Sequence, residues 1–176
     1  MKKLHIVLLV SISIIVIISG FAFFKTTKVG NEKAVDYKNA IYNVDELEVK
    51  LYYYNPALDQ GPGGQQCTKN GLVSELRAIP KTATPLTDTI KLLLSEKLSD
   101  ADRALGIESE FPLAGVTLKN ASIQNGVATL TFDDPQNKTG GGSCSLAIRW
   151  AQIEATAKQF ETVKSVRFLP ETLFQP

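Results

Sequence analysis

The stretch GVTLKNASIQNGVATLTFD, residues 115–133, decides the fold class. It contains two runs in which apolar and polar residues alternate, one on each side of the pair Asn125-Gly126. Alternation with a period of two is typical of a β-strand with one buried face. An Asn-Gly pair between two such runs favours a two-residue hairpin turn. We therefore predict an antiparallel β-hairpin that turns at Asn125-Gly126.

Upstream of this hairpin, the sequence predicts two strands and two helical segments. In chain order they are the strands EVKLYYYN (48–55) and GLVSELRAIP (71–80), the helix TPLTDTIKLLLSEKL (84–98) and the short helical turn SDADRALG (99–106). Thr84 is the expected N-cap of the first helix, and Pro85 occupies its first turn, where a missing N–H costs nothing. Ser99 or Asp100 is the expected cap of the second.

Downstream of the hairpin, the sequence predicts an amphipathic helix and a last strand. The helical face has apolar residues spaced by three or four positions: Leu146, Trp150, Ile153, Ala157 and Phe160. The strand lies in VKSVRFLP (163–170). This order predicts an α+β fold, with two main helices packed on one face of a mostly antiparallel sheet.

The N-terminal residues predict a single transmembrane helix before this domain. Leu4 to Phe24 carries no formal charge and follows Lys2 and Lys3. As a helix this run would extend about 31 Å, close to the thickness of a bilayer core. We expect a transmembrane signal anchor at 1–25, with a cleaved signal peptide as the alternative.

Two further regions are predicted after residue 25. Residues 26–46 are polar with little apolar periodicity, which predicts a solvated stalk. Residues 47–176 contain every predicted strand and helix and would form the folded domain. The charge of this region is nearly balanced, which disfavours nucleic-acid binding.

The stretch TGGGSCSLAIRWAQ, residues 139–152, has two interpretations. Glycines before a helix can bind a phosphate, and a cysteine at a helix start can be a nucleophile. However, the Lys-Ser/Thr ending of a P-loop is missing. We favour a turn with Ser143 as the N-cap and the helix beginning at Cys144.

Catalytic and metal sites are disfavoured by the residue types available. The one histidine, His5, lies in the apolar N-terminal run, so the domain has no histidine for a catalytic triad or a metal. Two cysteines alone cannot complete a zinc site. Asp133 and Asp134 are better explained as turn residues, and Asp100 and Asp102 as helix-start residues. We expect no catalytic residue, no metal and no cofactor.

The two cysteines, Cys67 and Cys144, predict a disulfide. An even number of cysteines after a membrane-targeting segment is typical of an oxidising, extracytoplasmic compartment. Free buried thiols and a redox or catalytic thiol are the alternatives. The sequence does not distinguish a bond within one chain from a bond between chains.

The domain resembles the GerMN family, which includes sporulation and spore germination proteins and LpqB-type lipoproteins. The resemblance spans roughly Glu48 to Leu169. It lies in VKLYYYN, RAIPKTATPLTDTIKLLL, GVTLKNASIQNGVATLTFD and RWAQIEATAKQFETVKSVRFL. It implies an extracytoplasmic α+β domain related in shape to ring-building modules of secretion-type assemblies, without known catalytic activity. The chain departs from the family in having one copy of the domain and no lipidation cysteine.

The sequence thus predicts a non-catalytic, membrane-anchored interaction or assembly module of the bacterial cell envelope. Its expected partners are the membrane and a protein or envelope component. One alternative is a ligand-sensing domain that binds at an exposed aromatic face formed by Tyr52 and Tyr54. A further alternative is an envelope hydrolase or thiol enzyme.

Overall fold

The computed structural model describes residues 45–174. In chain order the elements are β1 (Glu46–Tyr54), β2 (Leu72–Pro80), α1 (Pro85–Ser95), α2 (Asp100–Ala104), β3 (Thr117–Gln124), β4 (Val127–Asp133), α3 (Ser143–Lys158) and β5 (Ser165–Leu169). No helix in this part of the chain has both the length and the apolar character needed to cross a bilayer. The predicted anchor, 1–25, and nearly all of the predicted stalk, 26–46, lie outside the described residues.

The predicted hairpin is confirmed. Strands β3 and β4 pair antiparallel, with Gln124 opposite Val127. Asn125 and Gly126 form the two-residue turn with φ values of 51° and 83°. Positive φ at both positions is the requirement of a type I′ turn, which Asn and Gly meet at least cost.

The α+β class is confirmed and two of the three strand pairs are antiparallel as expected, but the strands form two sheets, so the expectation of a single sheet is wrong. β1 and β2 form a two-stranded antiparallel sheet, and β3, β4 and β5 form a three-stranded sheet in that order. Strand β5 runs parallel to β4. The reason is the connection: α3 carries the chain back along the sheet, so β5 begins beside the start of β4.

The two long helices join these sheets. Helix α1 packs against β1, β2 and β3, whereas α3 packs against β1 and β5, and the helices also contact each other. They therefore do not lie on one face of one sheet, as the sequence had predicted. Between them lies a continuous core whose fully buried members include Leu51, Tyr53, Ile90, Leu93, Leu130 and Ile153.

The helix starts follow the predicted caps in two of three cases. Thr84 is the N-cap of α1 with Pro85 as the first helical residue, and Ser99 caps α2 by accepting a hydrogen bond from the Asp102 N–H. Helix α3 begins at Ser143, with Gly142 as its N-cap. The prediction of Ser143 as the cap is therefore wrong by one residue, because Gly142 already takes the extended conformation of a cap, with φ −68° and ψ 154°.

The domain has two distinct ends, because α3 runs antiparallel to β1. The near end contains the start of β1 and the end of α3, and the backbone N–H of Lys50, in the middle of β1, donates to Oε1 of Gln159 just beyond α3, at 2.7 Å. The far end lies at the other end of β1, about 26 Å away at 3.3 Å per residue. It contains the loop 55–71, residues 105–116, the turn 134–142 and the residues after β5.

Candidate interaction site at the far end

The loop 55–71 is organised around a buried carboxylate, Asp59. Its Oδ2 accepts hydrogen bonds from the Tyr54 hydroxyl at 2.8 Å and from the Thr68 backbone N–H at 2.7 Å, and its Oδ1 accepts one from the Thr68 hydroxyl. Burial would raise the pKa of Asp59, but these donors hold it below its usual value. The carboxylate therefore serves as an acceptor that fixes the loop.

The structure corrects the expected aromatic face of Tyr52 and Tyr54. Tyr54 is buried, and its hydroxyl also accepts a hydrogen bond from the Cys67 N–H at 3.0 Å. A Cβ at Gly71 would lie 2.4 Å from the Tyr54 ring, so only glycine permits this close approach. Tyr52 is half-buried, and its backbone bonds to side chains of α3. The two rings therefore do not form an exposed ligand platform.

Cys67 and Cys144 are brought together as a disulfide within one chain. Their Cα atoms are 5.2 Å apart although the residues are separated by 77 positions. Cys144 is the second residue of α3, and Cys67 lies near the end of the loop that Asp59 organises. The bond thus joins the loop 55–71 to the start of α3.

An apolar groove of about 520 Å³ lies beside this bond. Its lining residues are Cys67, Thr68, Lys69, Ala147, Trp150, Ala151 and Phe174. The small side chains of Ala147 and Ala151 leave space beneath the loop. Phe168 contacts the rings of both Trp150 and Phe174 edge to face, at centroid distances of 4.4 and 5.5 Å, so the aromatic wall is anchored in the core.

A second link joins the same two segments across the groove. The Lys69 ammonium forms an ion pair with Glu154 of α3, which also pairs with Lys158 at 2.7 Å. Burial would raise the pKa of Glu154, but the hydrogen bonds from Lys158 and Lys69 hold it below its usual value. Because Lys69 is largely exposed, this ion pair contributes little to stability.

The glycine-rich turn 134–142 is filled by the protein's own groups. Nη1 of Arg149 donates to the carbonyl oxygens of Thr139, at 3.2 Å, and Gly140, at 2.9 Å. Asp134 accepts from the N–H groups of Lys138 and Thr139, each at 2.7 Å. The turn therefore directs carbonyl oxygens toward the Arg149 guanidinium. An anion-binding turn would instead direct backbone N–H groups toward its ligand.

Two leucines at the far end are strongly exposed. Leu58 is 57% exposed and Leu105 is 70% exposed. Asn55 connects their backbones: its carbonyl accepts from the Leu58 N–H at 3.1 Å, and its Nδ2 donates to the Leu105 carbonyl at 3.1 Å. We call Leu58, Leu105 and the groove beside the disulfide the far-end surface. Both side chains lie on loops at one end of the domain and are open to solvent, which makes this end a candidate binding surface.

The far end offers binding groups more than reactive ones. Within residues 45–174, no group of three or more His, Cys, Asp or Glu side chains could hold a metal ion. Two carboxylates of the far end, the buried Asp59 and the half-buried Asp134, are both occupied as acceptors. As predicted from the sequence, Asp134 acts as a turn residue.

The sequence did not indicate several of these residues. Asp59 lies in LDQGPGG, a stretch typical of an exposed turn, and nothing there predicts a buried carboxylate. Arg149 lies within the helical pattern without any sign that it binds the preceding turn. Trp150 was recognised as part of the apolar face of α3, but its role in a groove depends on the loop packed above it.

Comparison with known proteins gives a family and several similar solved structures, three of which are described below. The family model described as "Germane: Sporulation and spore germination" matches residues 50–171. No curated protein sequence matches the chain significantly.

The solved structures resemble the chain at low sequence identity. The first GerMN domain of the sporulation protein GerM from Bacillus subtilis is 16% identical, with a TM-score of 0.47, over 69% of this chain and 80% of that one. The tandem GerMN domains of the same protein are 15% identical, with a TM-score of 0.48, over 70% and 38%. A putative lipoprotein from Clostridium perfringens is 16% identical, with a TM-score of 0.36, over 72% and 75%.

The family match confirms the resemblance noted in the sequence. It begins within β1 and ends just after β5, and so includes both sheets and all three helices. Because the matched residues make up well over half of the 176-residue chain, the protein belongs to the Germane family of sporulation and spore germination domains.

Proposed function

We propose that the protein is a non-catalytic, membrane-anchored interaction or assembly module of the cell envelope, and that it binds a protein or envelope partner through its far-end surface. Membership in a family described by sporulation and spore germination supports an envelope setting. The observation that carries the proposal is the exposure of Leu58 and Leu105 on loops that the fold holds rigidly.

Rigidity matters because ordering a loop on binding costs free energy. The far-end loops are already fixed by the Asp59 hydrogen bonds, by the Cys67–Cys144 bond and by Arg149. A partner that buries Leu58 and Leu105 would therefore lose less of its binding free energy to loop ordering. This preorganisation supports a docking role.

The non-catalytic part of the proposal is supported by how the polar groups are used. Asp59 accepts from the loop it organises, and Arg149 donates to carbonyl oxygens of the preceding turn. General acid–base or nucleophilic chemistry needs a group that can reach a substrate. These groups are instead committed to hydrogen bonds that hold the backbone.

Anchoring and topology follow from the sequence and need their own experiment. The apolar run Leu4 to Phe24 and the cysteine pair support a cytoplasmic N-terminus with the domain outside. Protease added to intact spheroplasts should digest the domain. Complete protection in intact spheroplasts, with digestion only after lysis, would contradict this topology.

Site-specific photo-crosslinking tests the far-end surface. A photoreactive amino acid at Leu105 should capture a discrete partner in native membranes, and one at Leu58 should capture the same partner. Gln124 is the matched control, because it is exposed but lies beside the hairpin turn at the near end. Equal capture at Gln124, or capture there alone, would contradict the assignment of the far end.

A further inference from the structure

The disulfide lies where a thiol from solution can reach it. Cys144 is exposed, and Cys67 is half-buried and lines the groove beside Trp150. A disulfide inside a core can be reduced only after the protein unfolds. Exposed disulfides are instead open to direct thiol attack and are the more labile kind.

The backbone at Cys67 is held in a disfavoured conformation. Its φ is 68°, in the left-handed region that a residue with a Cβ adopts only at a cost. Gly63 and Gly64, shortly before it, have φ values of 72° and 78°, which glycine adopts freely. These two positions are filled by glycine, whereas at Cys67 a residue with a side chain carries the cost of a positive φ.

The fold does not depend on the bond to keep this loop in place. After reduction, the Cys67 N–H would still donate to Tyr54, and Thr68 would still donate twice to Asp59. The two thiols would remain close, because their Cα atoms are held 5.2 Å apart by segments with other anchors. The pair is thus arranged for opening and closing without unfolding.

The two sulfur atoms are not equivalent. Cys144 lies in the first turn of the 16-residue helix α3, where backbone N–H groups lack helical acceptors. Such a position stabilises a thiolate, and the better-stabilised thiolate leaves faster in exchange. Attack is therefore favoured at Cys67, with Cys144 as the leaving group.

We propose that the Cys67–Cys144 disulfide is a reversible exchange site for a protein dithiol of the thioredoxin type. A thiolate of the dithiol attacks Sγ of Cys67, the S–S bond breaks, and its electron pair goes to Sγ of Cys144. The second thiol of the dithiol then attacks the mixed disulfide and releases Cys67. The dithiol is oxidised to a disulfide, and both cysteines of this protein gain a proton.

Trapping the intermediate tests the site of attack. The full-length oxidised protein, in detergent micelles, is incubated with a thioredoxin-type protein whose second active-site cysteine is replaced by serine. We expect a stable mixed disulfide, which peptide mapping places on Cys67, while the far-ultraviolet circular dichroism is unchanged. An adduct on Cys144, no adduct, or two free thiols in the isolated protein would each overturn the proposal.

The rate of reduction tests whether exchange needs unfolding. Dithiothreitol should open the bond in the native protein at a rate proportional to its concentration. A rate that stays at the global unfolding rate, whatever the dithiothreitol concentration, would overturn the proposal.

Single variants test the direction of exchange independently. In Cys67→Ser, the remaining Cys144 should react with iodoacetamide at pH 7 about tenfold faster than Cys67 does in Cys144→Ser. Circular dichroism confirms that each variant is folded. Equal rates, or a faster reaction at Cys67, would refute Cys144 as the leaving group.

Discussion

Replacing both Cys67 and Cys144 by serine should lower the stability of the domain by a defined amount. The bond closes a loop across 77 residue positions. In the chain-entropy model a loop of this length contributes about 4.5 kcal/mol. Measured losses are typically about 2–4 kcal/mol, below this upper bound. We therefore expect the double variant to lose about 2–4 kcal/mol in the free energy of unfolding.

Urea denaturation of a fragment spanning residues 45–176 measures this loss. Trp150 is the one tryptophan of the chain, so its fluorescence reports on the groove, and far-ultraviolet circular dichroism reports on the helices. Without the cross-link the denatured state expands, and the dependence of the free energy on urea should become steeper. Thermal melts should show a midpoint lower by about 10 °C.

The parental fragment, measured with a reductant, is the control. Its stability should approach that of the double variant, since reduction removes the same loop constraint. A double variant as stable as the oxidised parent would refute the reasoning. So would a peptide map of the unreduced parent that shows both thiols free.

Three further outcomes are expected. Tyr54→Phe removes a hydroxyl with two hydrogen-bond partners, the buried Asp59 carboxylate and the Cys67 N–H, and should destabilise the fragment by about 1–3 kcal/mol. Tyr53→Phe removes a buried hydroxyl without a hydrogen-bond partner and should be neutral or stabilising in the same urea titration. A larger loss for Tyr53→Phe than for Tyr54→Phe would contradict this. Folding lowers the pKa values of Asp59 and Asp134, so these carboxylates bind protons more readily in the unfolded chain than in the folded one. The urea midpoint should therefore be constant from pH 7 to about 5 and should decrease below about pH 4. A midpoint that rises on acidification would refute this sign, and Asp134→Asn should make the fall shallower. The fragment 45–176 should unfold cooperatively without the preceding residues, and an aggregated or molten product would contradict the predicted stalk.

Local signals allowed the elements of the fold to be predicted. Asn125-Gly126 specifies a turn through its own backbone preferences, and the alternation in β1 buried Val49, Leu51 and Tyr53 as expected. Both signals act within a few residues. They require no knowledge of what the rest of the chain does.

The pairing of the strands could not be predicted in this way. The alternation in VKSVRFLP identifies β5, but its parallel pairing with β4 depends on the direction in which α3 returns the chain. In the same way, Tyr54 has the alternation of an exposed residue. It is buried because Gly71, at the other end of the loop, packs against its ring and Asp59 accepts a hydrogen bond from its hydroxyl.

The candidate site was predicted in part. The even number of cysteines predicted a disulfide between Cys67 and Cys144, because such pairing depends on composition and compartment. The groove was not foreseen, because it depends on the small size of Ala147 and Ala151 beneath a distant loop. Concave surfaces arise from tertiary packing, which residue spacing along a single helix does not reveal.

The packing of the first strand against the last helix determines the order in which the domain can form during synthesis. Lys50 and Gln159 exchange two hydrogen bonds although 109 residues separate them. Strand β1 leaves the ribosome before α3, so α3 can cover the apolar face of β1 only after most of the domain has been synthesised. The β3–β4 hairpin can close much earlier, since its partners are adjacent in the chain. A nascent chain that ends before α3 would therefore leave the part of β1 that α3 covers exposed, and would be a substrate for chaperones or proteases.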